Sequence, residues 1–340
     1  MISVKHLSKK YGDFLAVDDL SFEIEDGHIY GFLGPNGAGK STTLNIMTGC
    51  LAATSGEITI DGHDIYEDEK EAKKLIGYLP EIPPLYVEQT PREYLKFVAE
   101  AKGIQKASID SEIDRVVTET HIEEMQNRLI KHLSKGFRQR VGIAQALLGN
   151  PSVIILDEPT VGLDPMQIIE IRDLIAELGK KHTVILSSHI LTEIQAICEK
   201  VLIIYKGKLV AFDDIENLSK TMHSGSEIEI MTDANADDAS KLIENIDSIE
   251  SYQFKGQVEG FSSFIISSNN DKPYEICQEL FKSFAYSGMT LVKLNLIQTT
   301  LEDIFIELTS DEEDLAEADF APNLIEESNA ESEEIIKEAN

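Results

Sequence analysis

Two rhythms of apolar and polar residues divide this chain. Through roughly its first two thirds, short apolar runs alternate with stretches whose apolar residues recur every three or four positions, the pattern of buried strands interleaved with helices. Ile29-Tyr30-Gly31-Phe32-Leu33, Val153-Ile154-Ile155-Leu156, Thr183-Val184-Ile185-Leu186-Ser187-Ser188 and Val201-Leu202-Ile203-Ile204-Tyr205 are the strand-like runs. Thr90 followed by Pro91 marks a helix start, with threonine as N-cap and proline in the first position. Leu95, Val98, Ala99 and Lys102 continue it at helical spacing, and further helices are predicted over Ile109–Thr120 and Gly136–Leu148. Periodicity alone makes 85–148 a packed helical subdomain. From residue 226 the rhythm changes. Ile228 and Ile230 predict a strand, Ala239–Ile246 a helix, Tyr252–Lys255 and Ser262–Ser267 two strands, Tyr274–Ala285 a helix and Thr290–Leu296 a last strand. This β-α-β-β-α-β order is the ferredoxin-like split βαβ pattern.

Chemistry enters with Gly34-Pro35-Asn36-Gly37-Ala38-Gly39-Lys40-Ser41-Thr42, which fits the P-loop pattern in full and stands between a predicted strand and a helix. The glycines Gly34, Gly37 and Gly39 let backbone N–H groups approach phosphate oxygens. The helix that opens near Lys40 adds the positive end of its dipole. Lys40 is expected to reach the β- and γ-phosphates, and the Ser41 hydroxyl to coordinate Mg²⁺. A second motif is the apolar run that ends in Asp157-Glu158, followed at once by Pro159-Thr160-Val161-Gly162-Leu163-Asp164-Pro165. Its strand is expected beside the P-loop strand in a parallel sheet, with Asp157 holding Mg²⁺ through its water shell. Glu158 is then the candidate for orienting or deprotonating the attacking water. Between the two motifs lies Leu133-Ser134-Lys135-Gly136-Phe137-Arg138-Gln139-Arg140.

The order P-loop, Leu-Ser-x-Gly, apolar strand with Asp-Glu resembles the ATP-binding subunit of an ABC transporter, and the resemblance spans residues 1 to about 215. It implies an α/β fold: a P-loop NTPase core of ABC type, with a mixed sheet, an N-terminal antiparallel β subdomain and a helical lobe. With the second unit, the expected division is 1–222 ATPase domain (lobe about 85–148), 223–310 accessory domain of ferredoxin-like α+β type, and 311–340 tail. The resemblance implies that Tyr11 stacks on adenine, that His189 is the switch histidine at the γ-phosphate, and that Asp164 reports across a dimer interface. It implies that Ser134, Lys135 and Gly136 meet the nucleotide of a second subunit. Two departures stand out. Lys135 puts a cation, and Phe137 an apolar ring, where the family has Gly and Gln in Leu-Ser-Gly-Gly-Gln. Glu81, in Gly77-Tyr78-Leu79-Pro80-Glu81, replaces the usual glutamine; it can still accept from water and approach Mg²⁺ but cannot donate an N–H bond. Thr299-Thr300-Leu301-Glu302-Asp303-Ile304-Phe305 resembles the close of accessory domains in the exporter-type branch.

Composition narrows the partners. The net charge of −31 is spread along the chain, with −10 over 1–222, −10 over 223–310 and −11 over 311–340. A nucleic-acid partner needs a concentrated basic face, so none is expected. Loose adsorption to anionic lipid is disfavoured too. No run reaches the length of a membrane span and the N-terminus has no apolar signal core, so direct membrane insertion is not expected. Cys50, Cys198 and Cys277 match neither a disulfide framework nor a metal pattern. The tail is acidic and poor in aromatic residues, and is expected to be disordered. Together with the resemblance, these features imply a cytoplasmic Mg-ATPase, peripheral on the inner face of the membrane through a separate transmembrane permease. It would pair head to tail with a second copy of itself or a homologous ATPase. A soluble ABC-type ATPase of translation or DNA maintenance, or an assembly module with vestigial ATPase, are the competing readings.

Overall fold

Strands buried on both faces form the centre of the computed structural model, which describes residues 1–215, 217–218, 226–268, 273–297, 303 and 305–306. Every residue of β3 (Ile29–Leu33), β7 (Val153–Leu156) and β8 (Thr183–Ser188) is buried. They join β6 (Ile76–Leu79), β9 (Lys200–Tyr205) and β10 (Lys208–Asp214) in a six-stranded sheet of order β10-β9-β3-β8-β7-β6. All its pairs are parallel except the β9–β10 hairpin. This corrects one expectation: the strand that ends at Asp157 is not beside the P-loop strand, because β8 lies between them. Apolar runs identify strands, whereas their neighbours depend on long-range pairing that no local pattern encodes.

The two-residue period of the strands sorts their side chains onto two cores. Tyr30, Phe32, Val153, Ile155, Ile185, Leu202 and Ile204 face one way and share a core with Ile2, Leu7, Leu20, Phe22 and Leu44. Those partners come from β1 (Ile2–Tyr11), β2 (Phe14–Ile24) and α1 (Lys40–Met47). With β4 (Ser55–Ile60) and β5 (His63–Asp64), β1 and β2 make an antiparallel sheet of order β2-β1-β4-β5. Ile29, Leu33, Ile154, Leu156, Val184, Leu186, Val201 and Ile203 face the other way, against helices. Each fully buried side chain of this kind contributes about 1.5–3 kcal/mol by leaving water. Gly31 lets helix and sheet approach closely: a Cβ there would stand 2.5 Å from the side chain of Ile194, on α7 (Leu191–Ile197).

The helical lobe contains α3 (Pro91–Ala101) and α4 (Ile109–Glu119), which pack on α5 (Lys135–Leu147). Thr90 caps α3, and Glu93 closes a reciprocal capping box with it, as the Thr-Pro start predicts. The end of α5 is held by two cations from its neighbours. The Lys102 ammonium donates to the carbonyls of Gln145 (3.2 Å), Ala146 (3.3 Å) and Leu148 (2.9 Å). The Arg115 guanidinium donates to Leu147 (2.9 Å). Both satisfy carbonyls that a helix end leaves without partners. Lys102→Met keeps the stem and removes the charge, and should lower stability by about 1–2 kcal/mol. A thermal melt of the full chain should shift down by about 2–4 °C.

The second unit runs β11 (Ser226–Thr232), α8 (Ala236–Glu244), β12 (Ser251–Val258), β13 (Phe261–Ser268), α9 (Pro273–Tyr286), β14 (Leu291–Ile297). Its sheet, of order β12-β13-β11-β14, is antiparallel throughout. That is the ferredoxin-like order, and Ile228, Ile230, Ile243, Phe264, Leu280 and Phe284 form its own core. Leu218 and Phe305, on either side of this unit in sequence, are both buried in the core on the helix-covered face of the central sheet. The tail 311–340, and most of the Thr299–Phe305 segment, lie outside the described residues.

Candidate nucleotide-binding site

The ends of β3, β6, β7 and β8, together with the tip of the β1–β2 hairpin, surround one cavity of about 330 Å³. The loop between β3 and α1 forms its floor. Gly39 caps α1 at φ +105, and a Cβ there would meet the Ala16 carbonyl at 2.6 Å, so only glycine fits. Gly37 is also left-handed, at φ +82. Pro35, Asn36, Gly37, Gly39, Lys40, Ser41 and Thr42 line the cavity. Gly34 and Ala38 support this loop from beneath: a Cβ on Gly34 would stand 2.3 Å from the Ile204 carbonyl, and Ala38 is buried.

Lys40 is buried, and its ammonium donates to the carbonyls of Gly34 (2.7 Å) and Pro35 (3.3 Å). The Glu158 carboxylate is 3.6 Å away. Burial pulls the Lys40 pKa below its ordinary value, and the charges of Glu158, Asp157 and Glu81 oppose that shift. Lys40 is thus a cation already held in place by two carbonyls and nearby carboxylates. The Ser41 hydroxyl donates to Asp157 at 3.1 Å. Asp157 is buried and does not line the cavity directly.

Glu158 has φ +47, a backbone conformation costly for a residue with a Cβ. Its carboxylate pairs with the His189 ring at Nδ1, 2.9 Å. The interposed strand β8 supplies a residue that the sequence reading missed. The Ser187 hydroxyl donates to Asp157 (2.6 Å) and accepts the Glu158 N–H (2.8 Å), so β8 anchors both carboxylate-bearing residues. Glu81, Glu158 and His189 all line the cavity, as do Tyr11 and Phe14. Tyr11 and Phe14 pair across the β1–β2 turn, and both rings are largely exposed. Phe14 is the second residue missed; its signal was an aromatic three positions from Tyr11 across Gly12-Asp13, where hairpin pairing brings them side by side.

The structure does not bring Ser134, Lys135, Gly136 or Asp164 into this cavity. Ser134 caps α5, its hydroxyl accepting from the Phe137 N–H at 3.3 Å. Asp164 does the same for α6 (Pro165–Gly179), accepting from the Gln167 N–H at 3.0 Å. The two helix starts pack together, since a Cβ on Gly136 would meet the Gln167 side chain at 2.6 Å. Lys135 is exposed, and its ammonium lies over Gly162, where a Cβ would stand 2.2 Å from Nζ. The Phe137 ring is half-buried against the lobe core.

The donor set suits a nucleoside triphosphate with Mg²⁺. Ser41 and Asp157 present adjacent hard oxygens, and the Glu81 and Glu158 carboxylates flank the same space. Mg²⁺ takes one or two protein oxygens and completes its shell with phosphate oxygens and water. No group of three His, Cys, Asp or Glu side chains converges as an all-protein metal cage among the described residues.

The sequence model of the ABC transporter family matches residues 17–161. The bacitracin transport ATP-binding protein BcrA of Bacillus licheniformis is 36% identical over 312 residues, which cover 91% of this chain and 97% of that protein. Among solved structures, cbiO1 of Clostridium perfringens, part of the ABC transporter complex cbiONQ, superimposes with a TM-score of 0.59 at 29% identity, over 64% of this chain and 90% of that one. The ATP-binding cassette MJ0796, a dimer in a post-hydrolysis state with ADP and phosphate, gives 0.57 at 26% identity, over 63% and 98%.

Proposed function

This chain belongs to the family of ABC transporter ATP-binding subunits and is an ATPase; from that premise we propose how its residues divide the work. The observation that carries the reading is the meeting, in one cavity, of Lys40, Glu81, Glu158 and His189 from four separate loops. Backbone N–H groups of 34–42 and the Lys40 ammonium bind the triphosphate, and Tyr11 with Phe14 offers flat apolar faces to the base. Ser41 and Asp157, with Glu81 nearby, would hold Mg²⁺, which neutralises charge on the phosphates. Glu158 takes the proton of the attacking water, and His189 fixes the carboxylate's orientation from the side.

Ser134 and Gly136 stand away from their own chain's cavity, at the opening of α5. A head-to-tail pair places them, with Asp164, at the cavity of the other subunit. Because ATP is then contacted from both subunits, its binding favours the closed pair and its hydrolysis releases it. The test is turnover against protein concentration in the presence of Mg²⁺. The rate should rise more steeply than in proportion to the chain; strict proportionality into the dilute range would refute the shared site.

A separate permease subunit is the second partner. No described helix is long and apolar enough to cross a membrane. Ile82 is 82% exposed immediately after Glu81, and Tyr86, Val87 and Phe97 continue an exposed apolar surface with the Tyr86 and Phe97 rings 5.1 Å apart. This patch joins the nucleotide cavity to the lobe and is where we place the permease contact, with the chain peripheral on the cytoplasmic face. Ile82→Asp combined with Phe97→Asp should leave ATP binding intact and weaken co-sedimentation with permease-containing membranes by about 30-fold, the loss of one interface hot spot. The likeness to a bacitracin transport protein over nearly the full length favours export as the direction. We assign 1–222 to the ATPase domain and 223–310 to an accessory domain that steadies pairing; the burial of Leu218 and Phe305, which flank that unit, in the core of the first domain supports a fixed attachment.

A further inference from the structure

Glu193 is a carboxyl group in the wrong place for a solvent-facing helix residue. It lies on α7, is 5% exposed, and faces the side of the sheet that is otherwise filled by aliphatic residues. One of its oxygens, Oε2, accepts from the Thr160 hydroxyl at 2.6 Å and from the Ser188 hydroxyl at 3.0 Å. Thr160 and Ser188 are themselves buried. Among the described residues, no cation pairs with Glu193. A buried carboxyl without a cationic partner is expensive, and an apolar residue of similar size would normally be the cheaper filling. Its presence needs a reason in what the two hydroxyls hold.

Thr160 follows Glu158 by two residues, and Ser188 immediately precedes His189. The Ser188 oxygen also accepts the N–H of Ile190 at 2.9 Å, which fixes the turn around the histidine. Ser187, on the opposite face of β8, holds Asp157 and the Glu158 N–H. The backbone that carries His189 is therefore pinned from both sides of the sheet. From the α7 side, a single carboxyl oxygen ties it to the loop that follows Glu158. We infer that Glu193 is a positioning residue for hydrolysis, setting the separation of Glu158 and His189 by joining the segments that flank them; this rests on the assignment of Glu158 to the attacking water. It touches neither nucleotide nor water itself.

Displacing a reacting group by about 1 Å costs up to about 10²-fold in rate. In the full chain, Glu193→Leu should lower kcat about 10- to 100-fold, with KM for ATP and the Kd for ADP both within about threefold, since the phosphate contacts are untouched. Glu193→Gln keeps an acceptor oxygen for both hydroxyls and should restore kcat to within about threefold of wild type. Ser188→Ala alone should lower kcat, and in the Glu193→Leu background should cost less than about twofold more, because both changes break one connection. Should Glu193→Leu not fold, Ser188→Ala and Thr160→Val remove one hydroxyl each and carry the same expectation of lower kcat at unchanged KM. Three results would overturn the inference: a melting temperature that falls while kcat holds, equal kcat for the Leu and Gln variants, or independent effects of Ser188 and Glu193. The Glu158→Gln variant measured alongside separates the two levels. If that variant keeps turning over, the assignment of Glu158 fails; if it stops while the Glu193 series is silent, only the positioning role does.

Discussion

Glu158→Gln should bind ATP normally and lose about 10²–10⁴-fold in turnover, the usual consequence of losing a general base. Glutamine preserves size and the shape of the pocket floor, and its amide oxygen can still accept from the His189 ring. What it cannot do is take a proton from water. Lys40 stays anchored by the carbonyls of Gly34 and Pro35, so the phosphate-binding charge remains in place. Binding without hydrolysis leaves the closed pair with no way to open. The variant should therefore elute from size exclusion as a dimer in ATP and as a monomer in ADP. Turnover at the wild-type rate would remove Glu158 from the mechanism.

Lys40→Ala and Ser134→Arg should both abolish activity, by different routes. Lys40 is buried at the floor of its own chain's cavity, and a charge-assisted contact there is worth about 1.5–3 kcal/mol, so its loss should weaken nucleotide binding to the isolated subunit about 10- to 100-fold. Ser134 lies outside that cavity. Its replacement removes the cap of α5, a local cost of about 1 kcal/mol, and leaves the subunit's own phosphate loop untouched. Titration of a fluorescent ATP analogue should show near-normal affinity for Ser134→Arg, while ATP-driven pairing disappears because a bulky cation fills the shared surface. Equal loss of monomer affinity in the two variants would refute the head-to-tail arrangement.

Much of this architecture is legible in the residues because several local signals agree. The phosphate loop stands between an apolar run and a helix, Thr90-Pro91 starts α3, and the six elements from 226 to 297 follow in the order that their periodicity predicts. Strand neighbours are a different matter. The Val153–Leu156 and Thr183–Ser188 runs carry the same apolar signal, and nothing within either says which pairs with Ile29–Leu33. The side chain of Lys135 is another case: it lies across Gly162, a residue 27 positions away, so only the packing of α5 on α6 decides where the ammonium goes. Glu193 was invisible for the same reason. Its sequence neighbours Thr192, Ile194 and Gln195 make an ordinary amphipathic helix, and the hydroxyls it receives come from two other segments. The exposed surface at Ile82, Tyr86 and Phe97 also needs the fold, because a run of prolines and aromatics does not reveal which rings face solvent.

The last two residues of β8 give the strand a handed end. Ser187 reaches toward the carboxylates on the α1 side and Ser188 toward α7, although the body of the strand is isoleucine, leucine and valine buried on both faces. A sheet filled by aliphatic residues on either side resists a one-residue slip only weakly by hydrophobicity, since one greasy side chain substitutes for another. The paired serines supply the discrimination that the aliphatic body lacks. Inserting a single residue in the strand would bring Ser187 to the Glu193 side and leave Leu186 facing Asp157, whereas deleting one would bring Ser188 to Asp157 and His189 to the Glu193 side. Such a variant would keep its core and its phosphate loop and lose the alignment of its catalytic loops. Fidelity of strand alignment is here guarded by two hydroxyl groups, at the end of the strand that faces the candidate site.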